Sequence, residues 1–156
     1  MEFARALELL HALERERVAY VVVGSMAMAA HGLVRATRDL DLFVEPSADN
    51  VDRLRRALRQ VFDDPCIDEI SAADLAGAYP AIRYVPPDDG VSVDILARLG
   101  DAFAFDDIEA VRVVVPGGEI NVATPRMLVR MKRGTLRALD GIDAAAIRAR
   151  FSIEDE

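Results

Sequence analysis

The residues of this sequence best suited to chemistry are two aspartates that alternate with leucine, Asp39 and Asp41. Successive side chains of a β-strand point to opposite faces, so the pattern predicts both carboxylates on one face and Leu40 and Leu42 on the other. Two carboxylates about 7 Å apart along a strand repel each other unless a cation or a basic side chain lies between them. Mg²⁺ is a suitable cation, because it binds one or two carboxylates and leaves positions for water and substrate phosphates. A solvated edge strand is the alternative.

A second chemical candidate is the Gly24-Ser25 pair, which follows the short apolar run Val18–Val23. The run is β-branched and predicts a buried strand, and Gly24 allows the chain to turn sharply. Ser25 is predicted to cap a short helix through Met26–Ala30. The free N–H groups at such a helix start suit a phosphate. The same residues also make ordinary strand-to-helix turns, which is the alternative interpretation.

Together, the Gly24-Ser25 turn and the Asp39-x-Asp41 strand resemble the signature of the nucleotidyltransferase superfamily that includes DNA polymerase beta. Within that superfamily, the chain is most similar to the minimal bacterial enzymes and the AbiEii-type toxin nucleotidyltransferases. This similarity lies in its small size and in the sequence of residues 35–41, Arg-Ala-Thr-Arg-Asp-Leu-Asp. The family needs a third carboxylate on a later strand. Asp94 supplies one, because alternation places it with Ser92 on one face of the segment 91–96 and the apolar residues on the other.

The resemblance implies a reaction that moves a nucleoside monophosphate from an NTP to an acceptor hydroxyl. Two Mg²⁺ ions are implied, with Asp39 and Asp41 contacting both and Asp94 holding the ion that activates the acceptor. The acceptor implied is an RNA 3′ end, a protein side chain or a small molecule. The family likeness also allows a toxin role, with an antitoxin protein as partner.

Five residues are expected to bind the triphosphate on this resemblance. The backbone at Gly24 and the hydroxyl of Ser25 would hold the phosphates, and the guanidinium groups of Arg35 and Arg38 suit the same anions. Ion pairs with nearby acids are the alternative for both arginines. Lys132 is the one lysine in the sequence and matches a basic position of small family members.

The composition limits the classes of protein. A chain of 156 residues with 52% hydrophobic residues predicts one folded domain over 1–156, with a core over 18–123 and C-terminal helices over 125–151. The formal charge of −8 argues against broad nonspecific DNA binding but not against a bound nucleotide. The single cysteine, Cys66, excludes an internal disulfide. No apolar run predicts a membrane span, and the expected location is cytoplasmic.

The expected fold class is α/β (α+β), a nucleotidyltransferase fold with a short, mixed, twisted sheet and helices packed mainly on one side. Periodicity predicts a first helix over 2–17, a helix over 51–61 capped at Ser47, and a helix through Lys132 that opens at Thr124. Turn residues predict hairpins that join strands 81–85 with 91–96 and 111–115 with 119–123. The segment 101–110 gives no clear pattern, although Phe103 and Phe105 are expected to cover the core.

Two other functions use the same residues. A non-catalytic relative would keep nucleotide or partner binding and lack turnover, and a metal-dependent phosphohydrolase would release inorganic phosphate with the same three acids. The last helices match the family less well, because Arg137, Asp140 and Asp143 only approximate a basic-acidic pattern that small relatives carry there.

Overall fold

A six-stranded mixed β-sheet carries the fold. In the computed structural model, residues 3–33, 39–77, 81–87, 92–99, 103–132 and 138–153 are described, without the side chains of 3 and 138–144. The strands of this sheet are β1 (Tyr20–Val23), β2 (Asp39–Val44), β3 (Ala81–Tyr84), β4 (Ser92–Leu96), β7 (Ala110–Val115) and β8 (Gly118–Ala123). A separate two-stranded sheet pairs β5 (Arg98–Leu99) with β6 (Phe103–Ala104).

Six α-helices are described: α1 (Phe3–Arg15), α2 (Gly24–Ala30), α3 (Ala48–Val61), α4 (Ala72–Ala76), α5 (Pro125–Lys132) and α6 (Ala138–Phe151). Short 3₁₀ turns cover Pro65–Glu69 and Phe105–Asp107. The predicted caps of α3 and α5 are confirmed, because Ser47 accepts a hydrogen bond from the backbone N–H of Asn50 and Thr124 accepts one from that of Met127. Among these helices, none has the length and apolar character to cross a membrane.

The strand order of the large sheet is β3-β4-β2-β1-β8-β7. β2 lies at its centre, antiparallel to β1 and parallel to β4. Both predicted hairpins are confirmed, since β3 pairs with β4 and β7 pairs with β8, each in antiparallel fashion. The mixed sheet confirms the predicted fold class.

The core lies around β1 and β2. All four residues of β1 are buried, as are Leu40, Leu42, Phe43 and Val44 of β2. One polar side chain is also buried there: Asn50 is only 3% exposed. Its amide group bonds to the backbone of Ala19 at 2.7 and 3.0 Å and to the carbonyl of Glu45 at 2.8 Å. It thereby joins α3 to the outer ends of both central strands without leaving a buried polar group unpaired.

One local prediction needs correction. Ser25 is not the cap of α2, because the helix already begins at Gly24 and the capping position is Val23, whose side chain cannot accept a hydrogen bond. Part of the unassigned segment 101–110 forms β6 and the second 3₁₀ turn, while Phe103 and Phe105 pack against the core as predicted.

Candidate active site

The carboxylate cluster consists of Asp39, Asp41 and Asp94, and strand register brings its members to one face of the sheet. In the parallel pairing of β2 with β4, Asp41 lies opposite Asp94 and Asp39 lies opposite Ser92. Directly paired residues on neighbouring strands point to the same face, and the strands lie about 4.8 Å apart. The apolar residues between them, Leu40 and Val93, are fully buried on the other face. Three acids separated by up to 55 positions in sequence therefore share one patch.

The backbone of Gly24 lies against this cluster. β1 pairs with β2 so that Val23 lies opposite Asp41, which places Gly24 directly beside that carboxylate. The φ angle of Gly24 is +71°, and a Cβ atom built on it would lie 2.0 Å from Oδ2 of Asp41. Only glycine combines this backbone conformation with the space that Asp41 needs.

Asp41 is the acid most perturbed by its surroundings. Burial is the largest cause that raises its pKa, followed by the negative charge of Asp94, a hydrogen bond with Asp94 and the charge of Asp39. Lys132 acts in the opposite direction, and the pKa of Asp41 is raised to about 7. A buried carboxyl group beside two others is thus short of positive charge.

Arg83 is a basic residue that the sequence interpretation did not place in the site. It lies on β3 opposite Asp94. One of its terminal nitrogens lies 3.3 Å from Oδ1 of Asp39 and 3.3 Å from Oγ of Ser92, and the other lies 3.6 Å from Oδ1 of Asp94. The guanidinium group therefore spans two members of the carboxylate cluster.

A cleft of about 480 Å³ opens beside these residues. Asp41, Asp94 and Gly24 form part of its lining, and Arg83 and Lys132 supply positive charge. The rest of its described lining is apolar, from Val23, Ala81, Ile82, Leu96, Leu99, Leu128 and Met131. A cleft lined by acids, bases and apolar side chains suits a ligand with both anionic and apolar parts.

The donor chemistry of the carboxylate cluster fits a divalent cation. Carboxylate oxygens are the ligands that Mg²⁺ prefers, and the raised pKa of Asp41 shows that extra positive charge would stabilise its ionised form. As the described side chains stand, no three acidic, histidine or cysteine groups form a ready-made metal-ligand set. Instead, Asp41 is hydrogen-bonded to Asp94, and the Arg83 guanidinium contacts Asp39 and Asp94.

Residues 8–126, well over half of the chain, match the profile of the family described as "Nucleotidyl transferase AbiEii toxin, Type IV TA system". The chain belongs to the AbiEii nucleotidyltransferase family. No curated protein matches it significantly.

Solved structures share the fold of this AbiEii-family chain at low sequence identity. A protein of Thermotoga maritima assigned as a nucleotidyltransferase is 18% identical, with a TM-score of 0.54 over 96% of this chain and 92% of that one. The lincosamide antibiotic adenylyltransferase LnuA, bound to lincomycin, is 14% identical, with a TM-score of 0.65 over 96% and 98% of the chains. An antigenic nucleotidyltransferase-like protein of Paracoccidioides brasiliensis is 16% identical, with a TM-score of 0.53 over 94% and 75%.

The predicted site residues of the AbiEii-family chain fall into three groups. Asp39, Asp41 and Asp94 lie together, and Gly24 and Lys132 line the same cleft as Asp41 and Asp94. Ser25 lies in the first turn of α2, directly after Gly24. Arg35 and Arg38 are outside the described residues, as are Arg137 and the side chains of Asp140 and Asp143.

Proposed function

We propose that this AbiEii-family chain transfers a nucleoside monophosphate from an NTP to an acceptor hydroxyl. The observation that supports the proposal most strongly is the pairing of Asp41 with Asp94, with Asp39 on the same face and Gly24 against the Asp41 carboxylate. A cluster of three acids at a cleft that also contains basic groups is suited to binding a metal–triphosphate complex.

Asp39, Asp41 and Asp94 are the residues proposed to hold Mg²⁺, two ions in the form that the resemblance suggests. When bound, Mg²⁺ would lower the pKa of the attacking hydroxyl and neutralise charge on the attacked phosphate and the pyrophosphate leaving group. Lys132 would bind the triphosphate from the α5 side of the cleft, since it is close enough to lower the pKa of Asp41. Gly24, Ser25, Arg35 and Arg38 are proposed as further nucleotide contacts.

The proposed acceptor is an RNA 3′ end, a protein or a small molecule. LnuA, whose fold this chain shares, is an adenylyltransferase of a small antibiotic, whereas the family description names a toxin of a toxin-antitoxin system. We propose a toxin role with an antitoxin protein as partner. The labelling experiment that follows distinguishes the three classes of acceptor.

The decisive experiment incubates the protein with Mg²⁺, each α-labelled NTP in turn and a total cell extract. Label in RNA, in protein or in small molecules identifies the acceptor. Asp41→Asn should lower transfer by at least about 100-fold, since it removes a carboxylate that acts on the transferred phosphate. Asp49→Asn on the exposed start of α3 is the matched control and should transfer at the wild-type rate. Equal labelling by the Asp41 variant would refute the assignment.

Two other outcomes favour the alternative functions. Binding of NTP in calorimetry, together with no label in any acceptor, would favour a non-catalytic nucleotide-binding relative. Release of inorganic phosphate instead of pyrophosphate would favour a phosphohydrolase.

A further inference from the structure

A positive charge already lies across part of the carboxylate cluster. The Arg83 guanidinium contacts Asp39 and Asp94 from β3, at 3.3 and 3.6 Å. A divalent cation at these carboxylates would lie beside the same two oxygens, and the two cations would repel each other. Arg83 and a metal ion therefore exclude one another from this position.

The contacts of Arg83 with the carboxylates are weak, so a cation that binds them more tightly can displace its side chain. The side chain is 58% exposed, and β3 is an edge strand of the sheet. Its distances to the carboxylate oxygens are longer than the 2.7–2.9 Å of a strong charge-assisted hydrogen bond. Exposed ion pairs are worth about 1 kcal/mol or less each, so the side chain can leave without unfolding the strand.

The same side chain has a second set of partners within reach. Arg83 lines the cleft that Gly24, Asp41 and Lys132 also line. A guanidinium group binds phosphate oxygens through two parallel hydrogen bonds, and it keeps its charge throughout the accessible pH range. Once released from the carboxylates, it remains at the wall where a triphosphate would lie.

We propose that Arg83 is a built-in counter-ion of the carboxylate cluster, which competes with a free divalent cation and turns to the phosphates when the metal–nucleotide complex binds. This inference rests on the proposed function. It makes Arg83 a substrate-binding residue of this site, and it means that the metal ion binds well only together with the nucleotide. Free metal must displace a cation without providing it with a new anion, whereas the complex supplies one.

The test uses two binding measurements on the full chain at pH 8, with Mn²⁺ in place of Mg²⁺ so that free metal is counted by electron paramagnetic resonance. Arg83→Gln should bind Mn²⁺ alone about three- to tenfold more tightly than wild type, because two exposed ion pairs no longer compete. It should bind the Mn²⁺ complex of an α,β-methylene NTP about tenfold more weakly, because a charged contact to phosphate is lost. Both affinities of Arg83→Lys should lie between those of wild type and those of Arg83→Gln.

Arg53→Gln on the exposed face of α3 removes one positive charge away from the cleft and is the matched control for net charge. The proposal is overturned if Arg83→Gln changes Mn²⁺ affinity no more than this control, or if both affinities move in the same direction. Asp94→Asn separates the two levels of inference. Loss of Mn²⁺ binding in Asp94→Asn with no effect of Arg83→Gln rejects the role of Arg83 alone, whereas unchanged binding in Asp94→Asn rejects the metal site and the counter-ion with it.

Discussion

Among the described glycines, Gly24 leaves the least space for a side chain. Its φ angle of +71° belongs to the left-handed region, and the space that a Cβ atom would need is filled by the Asp41 carboxylate. Gly32, two residues beyond α2, also has a positive φ, +92°. A Cβ atom built on Gly32 would have its nearest neighbour, a terminal nitrogen of Arg150, 3.9 Å away. The two glycines share a backbone conformation and differ in what surrounds them.

Gly24→Ala should lower transfer activity by about 100-fold, because displacing Asp41 by about 1 Å misplaces a group that acts on the reacting phosphate. Gly32→Ala should retain activity. Both variants should lose about 1 kcal/mol of unfolding free energy from the left-handed backbone, measured by urea denaturation. Equal activities of the two variants would show that the contact between Gly24 and Asp41 has no functional importance.

Residue type and alternation predicted the carboxylate cluster. The position of Arg83, by contrast, depends on which residues of β3 and β4 lie opposite each other. A loop over the predicted turn 86–90 would pair Val85 with residue 91 and place Arg83 on the buried face. The observed pairing of Tyr84 with Val93 shifts the strand by one residue. This register buries Tyr84 and places Arg83 opposite Asp94. The turn residues correctly predicted the hairpin but not this register, so Arg83 was not predicted to lie in the site.

At the scale of elements, α5 forms one wall of the cleft. Leu128, Met131 and Lys132 all line it, and they lie on a helix that starts at the Thr124 cap. The cap accepts a hydrogen bond from the N–H of Met127 at 3.2 Å. A short helix depends strongly on its cap, because few of its backbone groups are bonded within the helix.

Thr124→Ala should lower the melting temperature by about 2–4 °C, the effect of about 1 kcal/mol in a chain of this size. It should also lower kcat/KM for the NTP by about tenfold, since the start of the helix that carries Lys132 loosens. Ser47→Ala removes the corresponding cap of α3, which lies outside the cleft lining, and should lower only the melting temperature. The measurement is steady-state transfer beside thermal denaturation, and a similar loss of kcat/KM in both variants would contradict the role of α5.

The sequence predicted the long periodic elements well and their junctions less well. The helix with apolar side chains from Leu9 to Leu13 and the strand with Leu40 and Leu42 were evident, because each buries one face at a regular period. The predicted start of α2 was wrong by two residues, because the helix begins directly at Gly24 rather than after a side-chain cap at Ser25. The two-residue strands β5 and β6 are too short to show a period.

At the scale of the whole molecule, a partly buried hydrogen-bond network joins the first helix to the β7 edge of the sheet. The hydroxyl of Tyr20 donates to Glu14 at 2.6 Å and accepts from the N–H of Asn121, while Arg112 donates to Glu14 at 2.7 and 3.1 Å. Burial would raise the pKa of Glu14, but hydrogen bonds from Arg112 and Tyr20 outweigh it and hold that pKa below its usual value of 4.5. Burial and the hydrogen bond to Glu14 raise the pKa of Tyr20.

Because the folded state lowers the pKa of Glu14, its ionised form stabilises the protein above about pH 4.5, and this stability is lost as the pH falls through the folded value. Glu14→Gln should therefore have a lower free energy of unfolding than wild type at pH 7, by about 1 kcal/mol, and a lower melting temperature. Both differences should shrink as the pH falls below 4.5. Glu8→Gln, in an exposed pair with Arg5 on the same helix, is the control and should show no such difference. Melting curves between pH 7 and pH 3 measure both, and a gap for Glu14→Gln that stays constant over this range would contradict the argument.

The central position of β2 limits how this chain can diverge. Insertion of a single amino acid inside β2 would invert the facing of every side chain beyond it, so an acid would enter the apolar interior and a leucine would take its place in the cleft. The connection from Glu45 to the start of β3 at Ala81 carries no such parity constraint. Homologues should therefore differ in the length of this connection by odd or even numbers of residues. The register that places Val23 opposite Asp41, and Asp41 opposite Asp94, should stay fixed.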